Sequence, residues 1–527
     1  MKQALCIFAL LFLSIHSFAQ YPQYKATVLT PASSGYYLVS PFGSAIRDNY
    51  QMIIDSNASL IYYKPFHGTN TADFKIQPNG QITYFLYNQF LILDSAFNVI
   101  DSVSCKNGVT TDPHDLRILP NGNFLLLGFD YTTVDLTSYH YFHHNGTAGS
   151  PTANVSSFVI QELDPSKNVV FEWHSKDYLA FDGVDEFWLN DSAIVDWTHS
   201  NAVELDNDGN YIVSSRHFNE ITKVSRVDSS VIWRFGGKNN QFTFIGDTTR
   251  FYGQHDIRRI DNGHITLYDN GINFLSHGAR ALEYELDETN HTAKVMWSYI
   301  YDSSMSSIAT GNAQRIQNGN TLVNYGILSN RNVTFNVVDL AGVKVFELAF
   351  DDTIFSYRSF NYLHLPWRLP RPEISCLDSS GTMYLNAGNG YSSYRWNTGD
   401  TTRLIPVTVA DTFYVFVPIG NGGFISSEKF IVTNPADPCG TIGITEILKE
   451  NNMLLSPNPA KEQLMIQIGA NASFTMPIMI RDIHGRMIKV PFEKYDNEDQ
   501  FIADISSLEK GIYFVQCGNQ VRKFVKD

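Results

Sequence analysis

Alternating apolar residues, an Asn-Gly or Asp-Gly turn and a second apolar run recur along the first two thirds of the chain. This pattern predicts an all-β protein built around a six-bladed β-propeller. Openings of the repeat read FKIQPNGQITYFLY around Asn79, HDLRILPNGNFLLLGFD around Asn121, HSNAVELDNDGNYIVSSR around Asp208, HDIRRIDNGHITLYDNG around Asn262 and NAQRIQNGNTLVNYG around Asn318. Its closing half is a second hairpin with Asp at the turn and an aromatic soon after, as in LILDSAFNVI, IQELDPSKNVVFEW and LEYELDETNHTAKVMW. Six closing halves and five clear openings imply six four-stranded units. A four-stranded sheet cannot bury both faces alone, whereas radial stacking covers them. Turns of the Asn-Gly kind are expected to hold both residues at positive φ.

Taken in order, Met1 to Ala19 has Lys2 at its start, an apolar stretch from Ala4 to Leu13, and small residues at Ser17 and Ala19. It reads as a secretory signal cleaved before Gln20 (signal peptide, 1-19), and it is too short for a bilayer core of about 30 Å. The propeller is expected over 30-366. Its first opening half is degenerate, with GYYLVS at 35 to 40 the nearest candidate, so counts of five and seven blades stay open. The turn glycines Gly80, Gly122, Gly209, Gly263 and Gly319 are 42, 87, 54 and 56 residues apart. Only one closing half lies in the 87-residue step, which places an insertion near Tyr131 to Ser157.

Leu-Pro-Arg-Pro from Leu369 marks a linker, and a chain ended after about residue 368 is expected to fold by itself. Residues 373-440 carry short β runs bracketed by Cys376 and Cys439, which fits an immunoglobulin-like sandwich with those two cysteines as a pair. The stretch YSSYRWNTGDTT resembles spacer modules of surface proteins in gliding and gut Bacteroidota. Residues 452-527 contain LSPNPAKEQL, IMIRDIHGRMIK and ISSLEKGIYFVQCGNQVRKFVKD. In that order these motifs resemble the type A C-terminal sorting domain of the type IX secretion system. The resemblance implies an exported protein, secreted or at the cell surface, handled by the type IX secretion machinery.

Composition narrows the partners. With 38 Lys+Arg against 53 Asp+Glu, a net charge of −15 and no basic run, nothing would displace counterions from a polyanion, so nucleic acid and anionic membranes are excluded as partners. A hydrophobic content of 43% supports packed cores rather than disorder. No window after the signal is long enough for membrane insertion.

His114 and His255 each lie eight residues before their turn glycine and His199 lies ten before its own. Even offsets put the three imidazoles on one face of equivalent strands. Arg216 ends the strand after the Asp208-Gly209 turn, and the antiparallel return carries it beside His199. Asn201 shares the face of His199. His143, His144 and His217 show no such phase.

Two chemistries fit three histidines and an arginine. Zinc with an open fourth position is one. Against it, the guanidinium would repel a dication, and Asp115 and Asp256 alternate to the opposite face, where they cannot orient the imidazoles. Transfer of an anionic oxyacid group is the other, with a neutral imidazole attacking while Arg and His balance charge. A non-catalytic propeller that binds sulfated glycans or phenolics through the same cationic pocket is the reading from another class.

The segments DPHDLRILPNGN, DWTHSNAVELDNDGNYIVSSR, VIWRFGG and GQHDIRRIDNGHITLYDNG resemble the arylsulfotransferase family. That resemblance implies sulfuryl transfer from a phenolic sulfate ester to an acceptor phenol by a ping-pong mechanism, with no metal or organic cofactor. It implies His255 as the nucleophile of a sulfohistidine intermediate, with His114, His199 and Arg216 as sulfate-stabilising and proton-transferring partners; Asn201, placed by parity on the face of His199, is a substrate-binding candidate.

Overall fold

The computed structural model describes residues 21–29, 35–141, 147–272, 277–329, 333–351, 353–436, 439, 454–456, 459–467, 478–482, 486–494, 500–517 and 520–527. The expected signal segment and His143 and His144 lie outside the described residues. The chain divides into two compact units, the first comprising 1–375, 386–405 and 412–430, the second the remaining residues.

In the first unit, antiparallel four-strand runs succeed one another along the chain. They are Ala72–Ile76 to Val99–Val103, Thr110–Ile118 to Val169–His174, Ser200–Leu205 to Val231–Gly236, His255–Arg259 to Thr292–Ile300, and Asn312–Arg315 to Lys344–Phe350. One more run is assembled from both ends, because Ile354–Tyr362 pairs with Tyr36–Gly43, followed by Asn49–Asp55 and Leu60–Phe66. GYYLVS is therefore a second strand. The opening strand of that sheet is IFSYRSFNY, which no Asn-Gly turn follows and which the repeat pattern therefore hides.

Packing passes from sheet to sheet and returns to its start. Phe90 and Ile92 meet Leu116 and Leu126. Leu125 and Ile160 meet Val203 and Val213. Ala202 and Ile212 meet Ile257 and Leu267. Tyr268 and Ala281 meet Ala313 and Val323, Leu322 and Val337 meet Tyr37 and Val39, and Tyr62 faces Phe74 at 6.3 Å between ring centroids.

The hairpin turns differ from expectation. Gly80, Gly122, Gly209, Gly263 and Gly319 have φ between 83° and 89°, but the preceding Asn or Asp is not left-handed. The turn is one residue longer than a two-residue loop: Gly122 N–H donates to Leu119 O at 2.8 Å and Leu119 N–H to Asn123 O at 2.8 Å. Only the glycine then needs positive φ, and the Asn121 side chain accepts from Asn123 N–H at 3.0 Å. In the long repeat, the insertion is a pair of extended strands, Phe124–Val134 and Ala153–Leu163, plus a segment over 175–199 that the turn spacing does not locate.

The boundary after residue 368 also differs. Gly423–Ser426 pairs with Leu60–Phe66, placing Phe424 opposite Tyr63 and Ile425 opposite Tyr62, and Val415–Ile419 and Arg395–Trp396 continue the same sheet. Residues 373–440 are thus divided between the two units. In the second unit, Cys376 and Cys439 are disulfide-bonded. Its C-terminal part has two four-stranded sheets packed around Leu464, Ile466, Ile480, Val515 and Phe524.

Ending the chain after Arg368 would strip the cover from Tyr62 and Tyr63, both fully buried, and leave an apolar sheet edge open. Such a chain is expected to melt at least about 5 °C below one that continues to residue 440. Equal melting temperatures by calorimetry would show that the first 368 residues need no such cover.

Candidate active site

The site draws on the opening strands of three successive sheets. His114 sits in Thr110–Ile118, His199 immediately precedes Ser200–Leu205, and His255 opens His255–Arg259. His199 has φ +46° and Asp256 +60°, and pairing shifts between Ser200 and Ala202 and between His255 and Arg258. Strict alternation therefore stops at the strand ends, where these side chains can turn toward one another.

The His114 and His199 rings are 5.2 Å apart, nearly perpendicular. Each has its Nδ1 fixed by an upstream carboxylate. His114 Nδ1 is 2.6 Å from Asp112 Oδ1, and His199 Nδ1 is 2.5 Å from Asp196 Oδ2. Orienting carboxylates are therefore present. They come not from Asp115 or Asp256 but from the aspartate two residues before His114 in DPHD and the one three residues before His199 in DWTHSN.

Arg216 N–H donates to His199 O at 3.1 Å, the antiparallel return that brings this arginine to the site. Its guanidinium lies 4.0 Å over the Trp188 ring, donates from Nη1 to His217 Nε2 at 3.2 Å and from Nη2 to Ile308 O at 2.6 Å. Arg216 Nε is buried with no acceptor, and among the described residues no carboxylate stands at ion-pair distance. A buried cation with an open donor is suited to an anion. Burial lowers the Arg216 pKa to about 10, partly offset by Asp196, so the group stays charged at neutral pH.

His217, which lacks the phase of the others, belongs to the same cluster. It stacks between Trp188 and His199, 4.7 Å from each ring. Burial, opposed by Asp196 and assisted by His199 and Arg216, pushes its pKa down to about 3. Nδ1 of this neutral ring donates to Asp196 O at 2.7 Å while Nε2 accepts from Arg216. Asp196, His199 and His217 bring ligand atoms within 4.8 Å of one another. A cation there would have to displace the guanidinium from His217 Nε2, so the donor set fits a metal poorly.

His255 is 2% exposed, and its pKa is well below the ordinary histidine value because of burial first, then the charges of Arg216 and His199. Nδ1 donates to Asn270 Oδ1 at 2.8 Å, with Gly253 O at 3.1 Å. The Asn270 amide is itself fixed, donating to Ser307 Oγ at 3.1 Å and Thr310 O at 3.0 Å. This sets the tautomer: the proton is on Nδ1 and the lone pair on Nε2, where Thr310 N–H approaches at 3.2 Å. Thr310 is left-handed at φ +61°, and its Oγ1 is buried without a partner.

Asn201 is fully buried. Its Nδ2 donates to Gln254 O at 2.8 Å, bracing the residue before His255, while its Oδ1 has no partner. Asp115 and Asp256 turn away from the histidines into a buried charge cluster with Lys75, Arg258 and Arg358. The residues not reached from sequence are Asp112, Asp196, His217, Asn270, Thr310 and Trp188. Asn270 had a visible position, at the end of the strand returning from the Asn262 turn.

A family model described as Arylsulfotransferase (ASST) matches residues 23–358, and one described as Secretion system C-terminal sorting domain matches 455–527. The second, a type IX sorting domain, indicates export to the cell surface or secretion. No helix among the described residues is long and apolar enough to cross a membrane. No curated protein matches the chain. Similar solved structures include a protein of unknown function from Bacteroides caccae, with 12% identity and TM-score 0.39, covering 62% of this chain and 99% of that one. A catalytically inactive virginiamycin B lyase from Staphylococcus aureus has 9% identity and TM-score 0.29, with coverage of 77% and 98%. PorZ, a surface component of the type IX secretion system of Porphyromonas gingivalis, has 10% identity and TM-score 0.25, with coverage of 91% and 69%.

The buried His217 makes a pH-dependent contribution whose sign is determined. Its folded pKa of about 3 lies below the unfolded value near 6.5, so the unfolded chain binds the extra proton. Stability is lost as pH falls through that window. His217→Phe, which keeps a ring in the stack, should flatten the slope of unfolding free energy against pH by nearly one proton, about 1.4 kcal/mol per pH unit. An unchanged slope in urea titrations would mean that His217 is already charged when folded.

Proposed function

The chain belongs to the arylsulfotransferase family, and from that premise we propose that it is an exported enzyme moving a sulfuryl group from a phenolic sulfate ester to an acceptor phenol through a sulfohistidine at His255. The sheets are read as the six blades of a propeller over 30–366, with 373–440 as a spacer and 452–527 as the sorting domain. The observation that carries the reading is the state of His255, a neutral imidazole whose Nδ1 proton is held by Asn270 and whose pKa is lowered by burial and by the charge of Arg216, a buried guanidinium with an open Nε donor.

In the first half-reaction, His255 Nε2 attacks sulfur and the bond from sulfur to the aryl oxygen breaks. Arg216 balances the charge of the sulfuryl oxygens, and Thr310 N–H moves from the imidazole lone pair to one of those oxygens. The departing phenolate takes a proton from the Nε2 of His114 or His199, whose Nδ1 hydrogen bonds to Asp112 and Asp196 stabilise the protonated ring. In the second, the same imidazole accepts the proton of the incoming phenol, whose oxygen attacks sulfur as the N–S bond breaks. Asn201 serves the site through Gln254, keeping the backbone before His255 in place.

Incubation with a chromogenic aryl sulfate and no acceptor should give a burst of one phenol per chain and a gain of one SO₃ unit on the peptide containing His255. His255→Ala should abolish both, and phenol release at the normal rate from that variant would place the nucleophile elsewhere. Asn270→Leu, which frees the imidazole to adopt the other tautomer, is expected to lower kcat by about 10- to 100-fold while leaving the fold intact. A wild-type rate would remove Asn270 from the mechanism.

A further inference from the structure

Beneath the histidines, the turned-away aspartates build a buried ionic cluster. Asp73, Asp115 and Asp256 each stand seven residues before a turn glycine, so the repeat itself delivers them to one level. Lys75 Nζ lies 2.7 Å from Asp73 and 2.6 Å from Asp115, and Arg258 lies 2.8 Å from Asp115 and 2.6 Å from Asp256. Arg358 is the third cation, 2.9 Å from Asp73, 3.5 Å from Asp115 and 3.4 Å from Asp256. It comes from Ile354–Tyr362, the strand that completes the first sheet.

What separates Arg358 from Lys75 and Arg258 is where its remaining protons go. Nη1 donates to His114 O at 2.9 Å, and Nη2 donates to Asn201 O at 2.6 Å, two residues beyond His199. Its ion pair with Asp256 reaches the residue next to His255. One planar group, 2% exposed, therefore touches all three opening strands that carry or adjoin the histidines. Tyr357, the preceding residue, adds a hydrogen bond from its hydroxyl to His114 O at 3.3 Å.

We propose that Arg358 is a positioning residue for sulfuryl transfer, setting the separation of His114, His199 and His255 by bonding their three strands to one guanidinium. The inference rests on the sulfuryl-transfer reading of the site. Lysine at this position keeps the charge but reaches the carbonyls of His114 and Asn201 with a single point donor, so it cannot hold both at the spacing of a fork. Since in-line attack tolerates little misplacement, the effect belongs in kcat more than in donor binding.

The test uses the full chain with Arg358→Lys, and a second variant, Arg358→Met with Asp73→Asn, which keeps the cluster charge-balanced in case the first fails to fold. A folded variant is expected to lose about 10- to 100-fold in kcat with KM for the aryl sulfate within about twofold of wild type. Nitrogen-15 NMR of the histidine side chains provides the readout independent of turnover: the resonances of His114, His199 and His255 should shift together. Wild-type kcat with unshifted resonances in a folded variant would overturn the proposal. If neither variant folds, Arg358 supports the fold alone and the positioning role falls. Should the wild-type chain form no sulfohistidine, the functional reading fails, and the histidine resonances still decide whether Arg358 sets their geometry.

Discussion

Pairing of Ile354–Tyr362 with Tyr36–Gly43 is the constraint on which the rest depends. Without it the first sheet lacks its opening strand, and the packing that runs from sheet to sheet has no return path. The same strand carries Tyr357 and Arg358 under the histidines. Closure of the ring and completion of the site are therefore one event, secured by hydrogen bonds and apolar contacts between residues more than 300 positions apart.

A second constraint is local. Neighbouring His and Asp residues in each HD pair serve opposite environments, the histidine toward the site and the aspartate toward the charge cluster. In a regular strand, alternation would accomplish this and nothing more. Here left-handed residues at Asp73, His199, Asp256 and Thr310 bend the strand ends as well, so that side chains from different sheets converge. Such conformations cost energy in isolation and persist where surrounding contacts hold them. Those contacts are visible as the buried salt bridges of Asp73, Asp115 and Asp256.

Much of this was legible in the sequence. The turn glycines mark the hairpins, and the sulfotransferase-like and sorting motifs occur where the matching family models place them. The histidine phase reasoned from unbroken alternation, whereas His199 lies outside its strand and the pairing slips at both it and His255. The orienting aspartates precede their histidines by two residues in one case and three in the other, so no common spacing marks them. His217 was hidden for a different reason: its place depends on stacking against Trp188, supplied by a segment with no repeat signature. No local pattern reveals the opening strand of the first sheet, since its pairing partner is at the other end of the repeat array. For the same reason, the strands that extend that sheet from beyond the Pro-rich linker could not be assigned to it.

The late position of the closing strand has a consequence for the order in which the site is assembled. A chain emerging from the ribosome or from a translocation channel in N-to-C order holds His114, His199, Arg216 and His255 long before it holds residues 354–362. Until that strand arrives, the first sheet is incomplete, and its non-local pairing is of the slow-forming kind. A chain that ends before residue 354 lacks both the opening strand of the first sheet and the Tyr357 and Arg358 contacts to the histidine-bearing strands. The contacts that hold the histidine strands together are thus completed only when the ring of sheets is closed.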